Sequence, residues 1–458
     1  MADAAPEWKR YPHVPTWGDP RRFTLPEADG ARADLGVSTF FIEGFLRGRR
    51  SGRRYAFMTI FTDMRVVRKL LRASFYTFAC YDLDQGRYGT FTDYDFPRPF
   101  AWRRAYKLAA APGRLDLRFA SSAGPARWAN ATDAGGALRP FAWTLALCGV
   151  DHHGQRMAAA LEVEAGAPPA PLGGRLLGGE MMFLGAPSTY SYFQTALRLQ
   201  GHLAWGSVDE EVTGDVGWID RQWAVDDFTA HQDWRSRRYR SEWRVMHFDD
   251  GWNMSAFRQY LRPARNAVVP WSGLSAQGPA PAFEIRETAA VELTIPEFVR
   301  SPGVVRAMSM LTDGPRWFPH RYRIRVPEWD TDVSSAPHVE APAHALPIEY
   351  WTGPVRLEGR LFGRNVRGLG FDERARPWVR HYELARALRL SIEHLAGVED
   401  HRLLAYRLDE VEALALRGDC AAARAHLERH VPPLMHAVRA EDRARLRPLL
   451  DDLRAVLG

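Results

Sequence analysis

The segment Gly214-Asp215-Val216-Gly217-Trp218-Ile219-Asp220-Arg221-Gln222-Trp223 places an acid, a base and an amide between two tryptophans. Successive side chains of an extended strand project to opposite faces. The alternation predicts Trp218, Asp220 and Gln222 on one face. The residues between and after them are predicted on the other face: Ile219, Arg221 and Trp223.

Asp220 is the residue of this segment that is best suited to catalysis. A carboxyl group beside an indole loses hydration of its charged form, which raises its pKa. We expect Asp220 to stay protonated near neutral pH, so that it can donate a proton to a weakly basic substrate. The alternative is a buried Asp220 that caps a turn or pairs with an arginine, since most buried polar groups are simply satisfied.

Strand-like alternation extends on both sides of this segment, from Thr39 to about Asp372. Asp249-Asp250-Gly251 lies between two alternating runs and predicts a hairpin. Two consecutive sets of strands favour two barrels or sandwiches side by side. After about Arg376, apolar residues recur at three- and four-residue spacing, which predicts three or four helices with Gly418 as a stop and an interruption at Pro432-Pro433.

Composition excludes several classes of protein. No apolar run approaches the roughly 18 residues that a membrane helix needs, and the start of the chain has no apolar signal region, so a cytoplasmic location is expected. Of the 61 basic residues all but three are Arg, with acidic residues close by, so the net charge of +6 indicates a solvated surface and no nucleic-acid partner. Three scattered cysteines argue against disulfides and a Cys-ligated zinc.

Common catalytic motifs are absent from the sequence. It contains no HExxH, P-loop, GxSxG or CxxC pattern. His152-His153 are adjacent in a predicted turn, and neighbouring side chains of an extended chain point apart, so they make a poor metal pair. We therefore expect neither a metal nor a cofactor.

The segment Gly214–Trp223, with Ser191-Tyr192 and Leu197–Leu203 before it, resembles the central signature of the lipocalin-like carotenoid 1,2-hydratase superfamily, also called hydroxyneurosporene synthase-like. Further pieces are similar to that family in the same order along the chain, over roughly residues 35 to 373: Phe41–Leu46 with Arg54–Phe57, Trp243–Tyr260, Trp317–Pro319, Tyr322–Pro327 and Tyr350–Gly370.

The resemblance implies two calycin-type β-barrels packed together, with a ligand cavity between or within them. The expected organisation is an N-terminal extension (1–34), a first lipocalin-like barrel (35–213), a second (214–375) and a C-terminal helical segment (376–458). Carotenoid hydratases, kievitone hydratase-like enzymes and fungal Diels–Alderases share this family. This chain departs from it in the opening strand, where Phe41–Gly44 replaces a Trp-Trp-Tyr-type run, and in the added helices, which offer a homodimer contact.

The first functional hypothesis is a cofactor-independent enzyme that protonates an alkene of a small apolar, isoprenoid-type substrate. Protonation of a trisubstituted alkene gives a tertiary cation, which water traps in a hydration or a second alkene traps in a cyclisation. Asp220 is the candidate acid, and His202 is a candidate for moving a proton or orienting water. The candidate substrate-binding residues are Trp218, Gln222, Trp223, Tyr192, Trp243 and Glu43.

Two other hypotheses stay open. A pericyclase of the Diels–Alderase kind needs only a cavity that folds the substrate, with a donor such as Gln222 or Tyr192 on a carbonyl. A non-catalytic carrier of apolar ligands needs only a closed barrel. An unpartnered Asp220 in a dry pocket is costly in a carrier, which mildly disfavours that hypothesis.

Overall fold

The structure is a computed structural model that describes residues 6–15, 23–32, 34–66, 68–96, 105–174, 176–183, 186–226, 238–269, 272–301, 315–340, 342–346, 350–395 and 399–458. Within these ranges the protein is mostly β, with two barrel-like sheets followed by helices towards the C-terminus. The predicted all-β core with a C-terminal helical appendix is confirmed.

The chain divides into two units. Unit 1 contains Met1–Tyr260, Val268–Ala289 and Gly368–Asp372. Unit 2 contains Leu261–Ala267, Ala290–Arg367 and Glu373–Gly458.

The first sheet lies wholly in unit 1 and has fourteen strands among the described residues. These are β1 (Val37–Gly48), β2 (Arg54–Val66), β3 (Leu71–Asp82), β4 (Arg87–Asp95), β5 (Leu108–Ala110), β6 (Asp116–Ser121), β7 (Gly124–Thr132), β8 (Leu138–Val150), β9 (Arg156–Ala165), β10 (Ala170–Pro171), β11 (Glu180–Phe183), β12 (Ala186–Gln194), β13 (Leu197–Trp205) and β14 (Val208–Ala224). The main path is β4-β3-β2-β1-β14-β13-β9-β8-β7-β6-β5, and β12 pairs with β14 beyond the end of β13.

This sheet curls into a nearly closed barrel. Tyr76 of β3 donates a hydrogen bond to the carbonyl of Cys148 on β8 (3.0 Å), which links strands far apart in the sheet order. Apolar and aromatic side chains from alternate positions fill the interior, among them Phe57, Phe78 and Trp128. The barrel interior is therefore a packed core.

Burial differs between two regions of this barrel. Strand β9 alternates between buried and exposed residues, as expected of a strand with one solvated face. In β3, by contrast, ten consecutive residues from Ala73 to Asp82 are buried. Both faces of β3 are therefore covered, and β1 and β2 show nearly the same pattern.

The second sheet is a half-barrel, built in the described part of the chain from eleven strands. These are β15 (Tyr239–Phe248), β16 (Asn253–Leu261), β17 (Ala267–Val268), β18 (Gly273–Gln277), β19 (Ile285–Thr288), β20 (Glu292–Arg300), β21 (Trp317–Val326), β22 (Thr331–Pro337), β23 (Ala343–His344), β24 (Tyr350–Leu361) and β25 (Arg364–Ala375). In unit 1 the order is β19-β18-β16-β15; in unit 2 it is β24-β22-β21-β20.

The predicted boundary between the barrels, after residue 213, falls inside a strand. Val208–Ala224 forms one continuous strand, β14, that pairs with β1, β12 and β13 of the first sheet. The first sheet therefore extends to Ala224. The turn residue Gly214 sits within β14, close to the carbonyl of Phe45 where the β1–β14 register shifts, so this glycine marks a bulge and not an end.

Four helices follow in the described C-terminal residues: α1 (His381–Glu393), α2 (Glu399–Leu416), α3 (Cys420–Met435) and α4 (Ala440–Val456). Gly418 has a φ of +81° just after α2, as predicted for a stop. The predicted interruption at Pro432-Pro433 is wrong, because α3 continues through both prolines to Met435. They lie in its last turn, where each removes one i→i−4 hydrogen bond, and the helix ends two residues after Pro433. None of the described helices combines the length and apolarity needed to cross a bilayer.

Candidate functional site

The two faces of β14 have different surroundings, and the predicted alternation separates them as expected. Ile219 and Trp223 join the core of the first barrel. Residues of the N-terminal extension enter the same core, where Phe23 packs edge-on against Trp223 with ring centroids 5.2 Å apart. This inner face is therefore occupied by the protein's own side chains.

Arg221 lies on the inner face and is 1% exposed. Its guanidinium donates to the carbonyls of Gln222 (2.8 Å) and Thr39 (3.2 Å) and to the Ser38 hydroxyl (2.9 Å), and it stands 3.8 Å from the ring centroid of Phe40. Burial lowers its pKa to about 10, against the opposing charge of nearby acidic groups. Arg221 therefore remains charged and well hydrogen-bonded at neutral pH.

Asp29, from the N-terminal extension, completes this inner network. It is 3% exposed and accepts a hydrogen bond from the Tyr192 hydroxyl. Burial raises the pKa of Asp29 to about 6, while the hydrogen bond from Tyr192 and the charge of Arg221 act in the opposite direction. Apart from Nε of Arg221, which has no hydrogen-bond partner among the described residues, the charged groups of this network are hydrogen-bonded, as is expected of a structural element.

Asp220 lies on the opposite face of β14, called here the outer face. Its Oδ1 accepts a hydrogen bond from the Ser191 hydroxyl at 2.5 Å. Burial raises its pKa to about 7, and the Ser191 hydrogen bond and the charge of Arg221 only partly oppose this rise. Although it lies deep among packed residues, Asp220 keeps part of its surface accessible, unlike Trp218 and Phe193 beside it. The carboxyl group is thus half-protonated near neutral pH and reachable.

Trp218 forms the aromatic floor beside Asp220 and is fully buried. Its ring stacks on Phe193 with centroids 4.5 Å apart and an interplanar angle of 13°. His247 of β15 packs edge-on against the same indole at 5.8 Å and 70°. The indole N–H has no hydrogen-bond partner among the described residues. An apolar, cation-tolerant surface with one spare donor therefore adjoins the carboxyl group.

His247 is buried and is held by the β15–β16 hairpin. Its Nδ1 lies 2.6 Å from Oδ1 of Asn253, its cross-strand neighbour. Gly251 turns the hairpin with a φ of +87°, a conformation that favours glycine. Burial lowers the pKa of His247 to about 4, against the hydrogen bond to Asn253. The imidazole is therefore neutral at pH 7.

The outer face also contains two further predicted substrate-binding residues. Glu43 of β1 lies directly across from Trp218 and is 1% exposed. Gln222 lies across from Thr39 and remains partly accessible. The structure therefore brings Trp218, Asp220, Gln222 and Glu43 to one surface.

The candidate substrate-binding residues Tyr192 and Trp223 point into the filled core of the first barrel, on the face of β14 opposite Asp220. The strand period explains this, since Trp223 is an odd number of residues from Asp220 and Tyr192 pairs with Arg221. Trp243 lies on β15, where strand alternation places it on the same side as His247, and its indole donates to Ser255 at 2.8 Å. It is fully paired and buried.

The structure places His202 away from the other candidates. It lies on β13 with its side chain 43% exposed, and its Nε2 is 2.7 Å from Asp209. Its pairing partner on β14 is Glu211, nine residues before Asp220, which corresponds to roughly 30 Å along the strand. His202 therefore forms a surface ion pair and does not adjoin Asp220.

Four residues of this surface were not predicted as site residues: Ser191, Phe193, His247 and Asn253. Pairing of β12 with β14 brings Ser191 and Phe193 beside Asp220. The hairpin signal at Asp249-Asp250-Gly251 predicts that residues on either side of it pair, which was the available sign that His247 faces Asn253. Nothing local indicates that β15 lies over Trp218.

Two further observations bear on where a ligand or a metal could bind. A groove of about 480 Å³ on the solvent side of the first barrel is lined by charged residues such as Arg127, Arg198 and Glu162, and by none of the predicted site residues. Its polarity does not suit an apolar ligand. Among the described residues, no group of three or more His, Cys, Asp or Glu side chains is arranged to hold a metal.

Comparison with known proteins identifies the fold. Residues 148–373 match the model of the AttH-like family. The structure resembles AttH of Nitrosomonas europaea with 16% identity and a TM-score of 0.55, over 79% of this chain and 98% of that one. It resembles kievitone hydratase of Nectria haematococca with 13% identity and a TM-score of 0.52, over 79% of this chain and 95% of that one.

These neighbours confirm the predicted lipocalin-like fold, and the AttH-like match over residues 148–373 agrees with the resemblance seen in the sequence. At these identities the likeness shows the fold alone. No curated protein sequence matches the chain.

Proposed function

We propose that this protein, whose residues 148–373 match the model of the AttH-like family, is an enzyme that protonates an alkene of a small apolar, isoprenoid-type substrate, with Asp220 as the acid. The product is a hydrated or cyclised molecule, and the chain's own residues supply the acid. The observation that carries this proposal is Asp220: a reachable carboxyl group on a covered aromatic surface, with a pKa raised to about 7.

The proton transfer follows from the contacts of Asp220. The protonated carboxyl group donates its hydrogen to one alkene carbon, the π electrons form the new C–H bond, and the adjacent carbon becomes a tertiary cation. The carboxylate that remains keeps the hydrogen bond from Ser191 (2.5 Å). A hydroxyl donor stabilises the charged carboxylate more than the neutral acid, so Ser191 favours the transfer.

The surroundings of Asp220 suit a cationic intermediate. The rings of Trp218 and Phe193 adjoin it, and Phe41 lies directly across from it on β1. Aromatic faces stabilise cations in sites that exclude bulk water. One structural neighbour is named a hydratase, which supports the same class of reaction for this chain.

The test is the substitution Asp220→Asn, assayed on a panel of acyclic isoprenoid alkenes in D₂O by mass spectrometry. Loss of the proton donor is expected to reduce both turnover and carbon-bound deuterium by about 10²- to 10⁴-fold. Asp215→Asn is the matched control, because Asp215 lies on the same strand and is exposed. Undiminished turnover in a folded Asp220→Asn protein contradicts the proposal.

A second candidate is favoured by the unpartnered indole N–H of Trp218. A buried donor of this kind can polarise a substrate carbonyl, as a pericyclase requires. That enzyme needs no acid, so it retains turnover in the Asp220→Asn variant and shows no deuterium on carbon.

The homodimer contact through residues 376–458 stays a prediction.

A further inference from the structure

We propose that His247 is the base that removes a proton from the water attacking the cation, so that Asp220 and His247 form an acid–base pair on either side of Trp218. This inference rests on the proposed function and restricts it to hydration. His247 would then contact a reacting atom, the oxygen of the attacking water.

The hydrogen bonds around His247 determine which of its nitrogens is the acceptor. Nδ2 of Asn253 donates to the carbonyl of Gly251 at 3.2 Å, which turns Oδ1 of Asn253 towards the imidazole. Because Oδ1 can only accept, Nδ1 of His247 must carry the hydrogen of the 2.6 Å bond. In the neutral ring Nε2 therefore holds the lone pair, and no hydrogen bond to Nε2 is seen among the described residues.

The position of His247 suits a base that works together with Asp220. It packs against the edge of Trp218, and Trp218 lies two residues from Asp220 on the same face of β14, roughly 6–7 Å along the strand. The acid, the aromatic floor and the base thus follow one another across the outer face.

The surroundings of His247 favour its neutral form as the starting state. Its hydrogen-bond partner on the same hairpin is the uncharged amide of Asn253. Burial lowers the pKa of His247 to about 4, and the hydrogen bond to Asn253 acts in the opposite direction. The imidazole is therefore able to accept a proton and, once charged, releases it readily.

The step balances without an oxidant or reductant. The water oxygen forms a C–O bond to the cation, and one of its O–H bonds breaks as Nε2 takes the proton. The imidazolium then returns that proton, through solvent, to the Asp220 carboxylate. The net change is one water added across the double bond, and both side chains return to their initial states.

Two variants separate this inference from the proposed function. His247→Asn is expected to keep a donor towards Asn253 while removing the Nε2 acceptor. We expect it to reduce the hydrated product about 100-fold while deuterium from D₂O still enters the recovered alkene, because the cation forms and then loses a proton. Asp220→Asn should lose both signals. His320→Asn is the control, since His320 is also buried and has its pKa lowered to about 4.

Each outcome has one meaning. If Asp220→Asn loses both signals but His247→Asn hydrates normally, the role of His247 is wrong and the proposed function stands. If the wild-type protein incorporates no deuterium from D₂O into any alkene of the panel, the proposed function fails and the inference with it. A substrate-free measurement adds an independent test: ¹⁵N NMR at pH 7 should show neutral His247 with the hydrogen on Nδ1, and the Nε2–H form would overturn the inference.

Discussion

The inner and outer faces of β14 each carry an ionisable group, but the two groups differ in the number of their polar partners. On the inner face, the guanidinium of Arg221 has four acceptors, an aromatic ring and Asp29 nearby. On the outer face, Asp220 has one hydroxyl partner and remains partly exposed. Adjacent residues of one strand therefore serve different purposes: the many partners of Arg221 stabilise the fold, whereas the single partner of Asp220 leaves its carboxyl group able to exchange a proton.

The largest expected difference between the two faces is in stability. Arg221→Met removes the buried charge at similar length, leaves the Ser38 hydroxyl and several carbonyls without their donor, and removes the positive charge near Asp29. We expect a decrease of about 3–5 kcal/mol in the free energy of unfolding at pH 7, measured by urea denaturation. A decrease below 1 kcal/mol would show that the inner network is not structural.

Urea denaturation of the Asp220→Asn variant should show an increase, and not a decrease, in the free energy of unfolding. Its folded pKa, about 7, exceeds the ordinary value of 3.8, so the folded state binds the proton more tightly than the unfolded state. Native stability therefore falls as pH rises from about 4 to 7 and is lowest above 7. The variant lacks this penalty, so we expect it to gain at most about 4 kcal/mol at pH 8 and almost nothing at pH 4. Equal effects at both pH values would contradict the raised pKa.

A smaller change tests the partner of Asp29. Tyr192→Phe removes a single hydrogen bond to a buried carboxyl group, and we expect a loss of about 1–3 kcal/mol in the free energy of unfolding. Turnover per folded molecule should stay at the wild-type level, because the hydroxyl lies on the inner face. A selective loss of turnover would place Tyr192 in the site after all.

The smallest expected effect is at Ser191. Ser191→Ala removes the hydrogen bond that lowers the pKa of Asp220. The acid-dependent rate, which should fall as pH rises through about 7 in the wild type, is expected to fall about one pH unit higher in the variant. The measurement is the pH profile of kcat, with Thr62→Ser as a control on a buried hydroxyl of β2. An unchanged midpoint would mean that another group controls the rate.

Much of the site could be predicted from ten residues. Alternation along Gly214–Trp223 correctly assigned Trp218, Asp220 and Gln222 to one face, and the indole beside Asp220 correctly indicated a raised pKa. Alternation indicates only the face, not the distance along the sheet, which is why His202 was grouped with Asp220 although about 30 Å of strand separates them. Tyr192 and Trp223 were misassigned because aromatic character does not distinguish a core from a cavity.

Other features arise from contacts between distant segments of the chain. Asp29, far before β14 in the sequence, supplies a polar partner on the inner face. Strand β15, which follows β14 along the chain, brings His247 against Trp218. Side-chain direction follows from backbone geometry within a few residues, so a local pattern reveals it. Which segment covers each face of β14 depends on how remote segments bury their apolar area together. That arrangement gives the carboxyl group of Asp29 its structural role and that of Asp220 its proposed reactivity, and it exists only in the folded molecule.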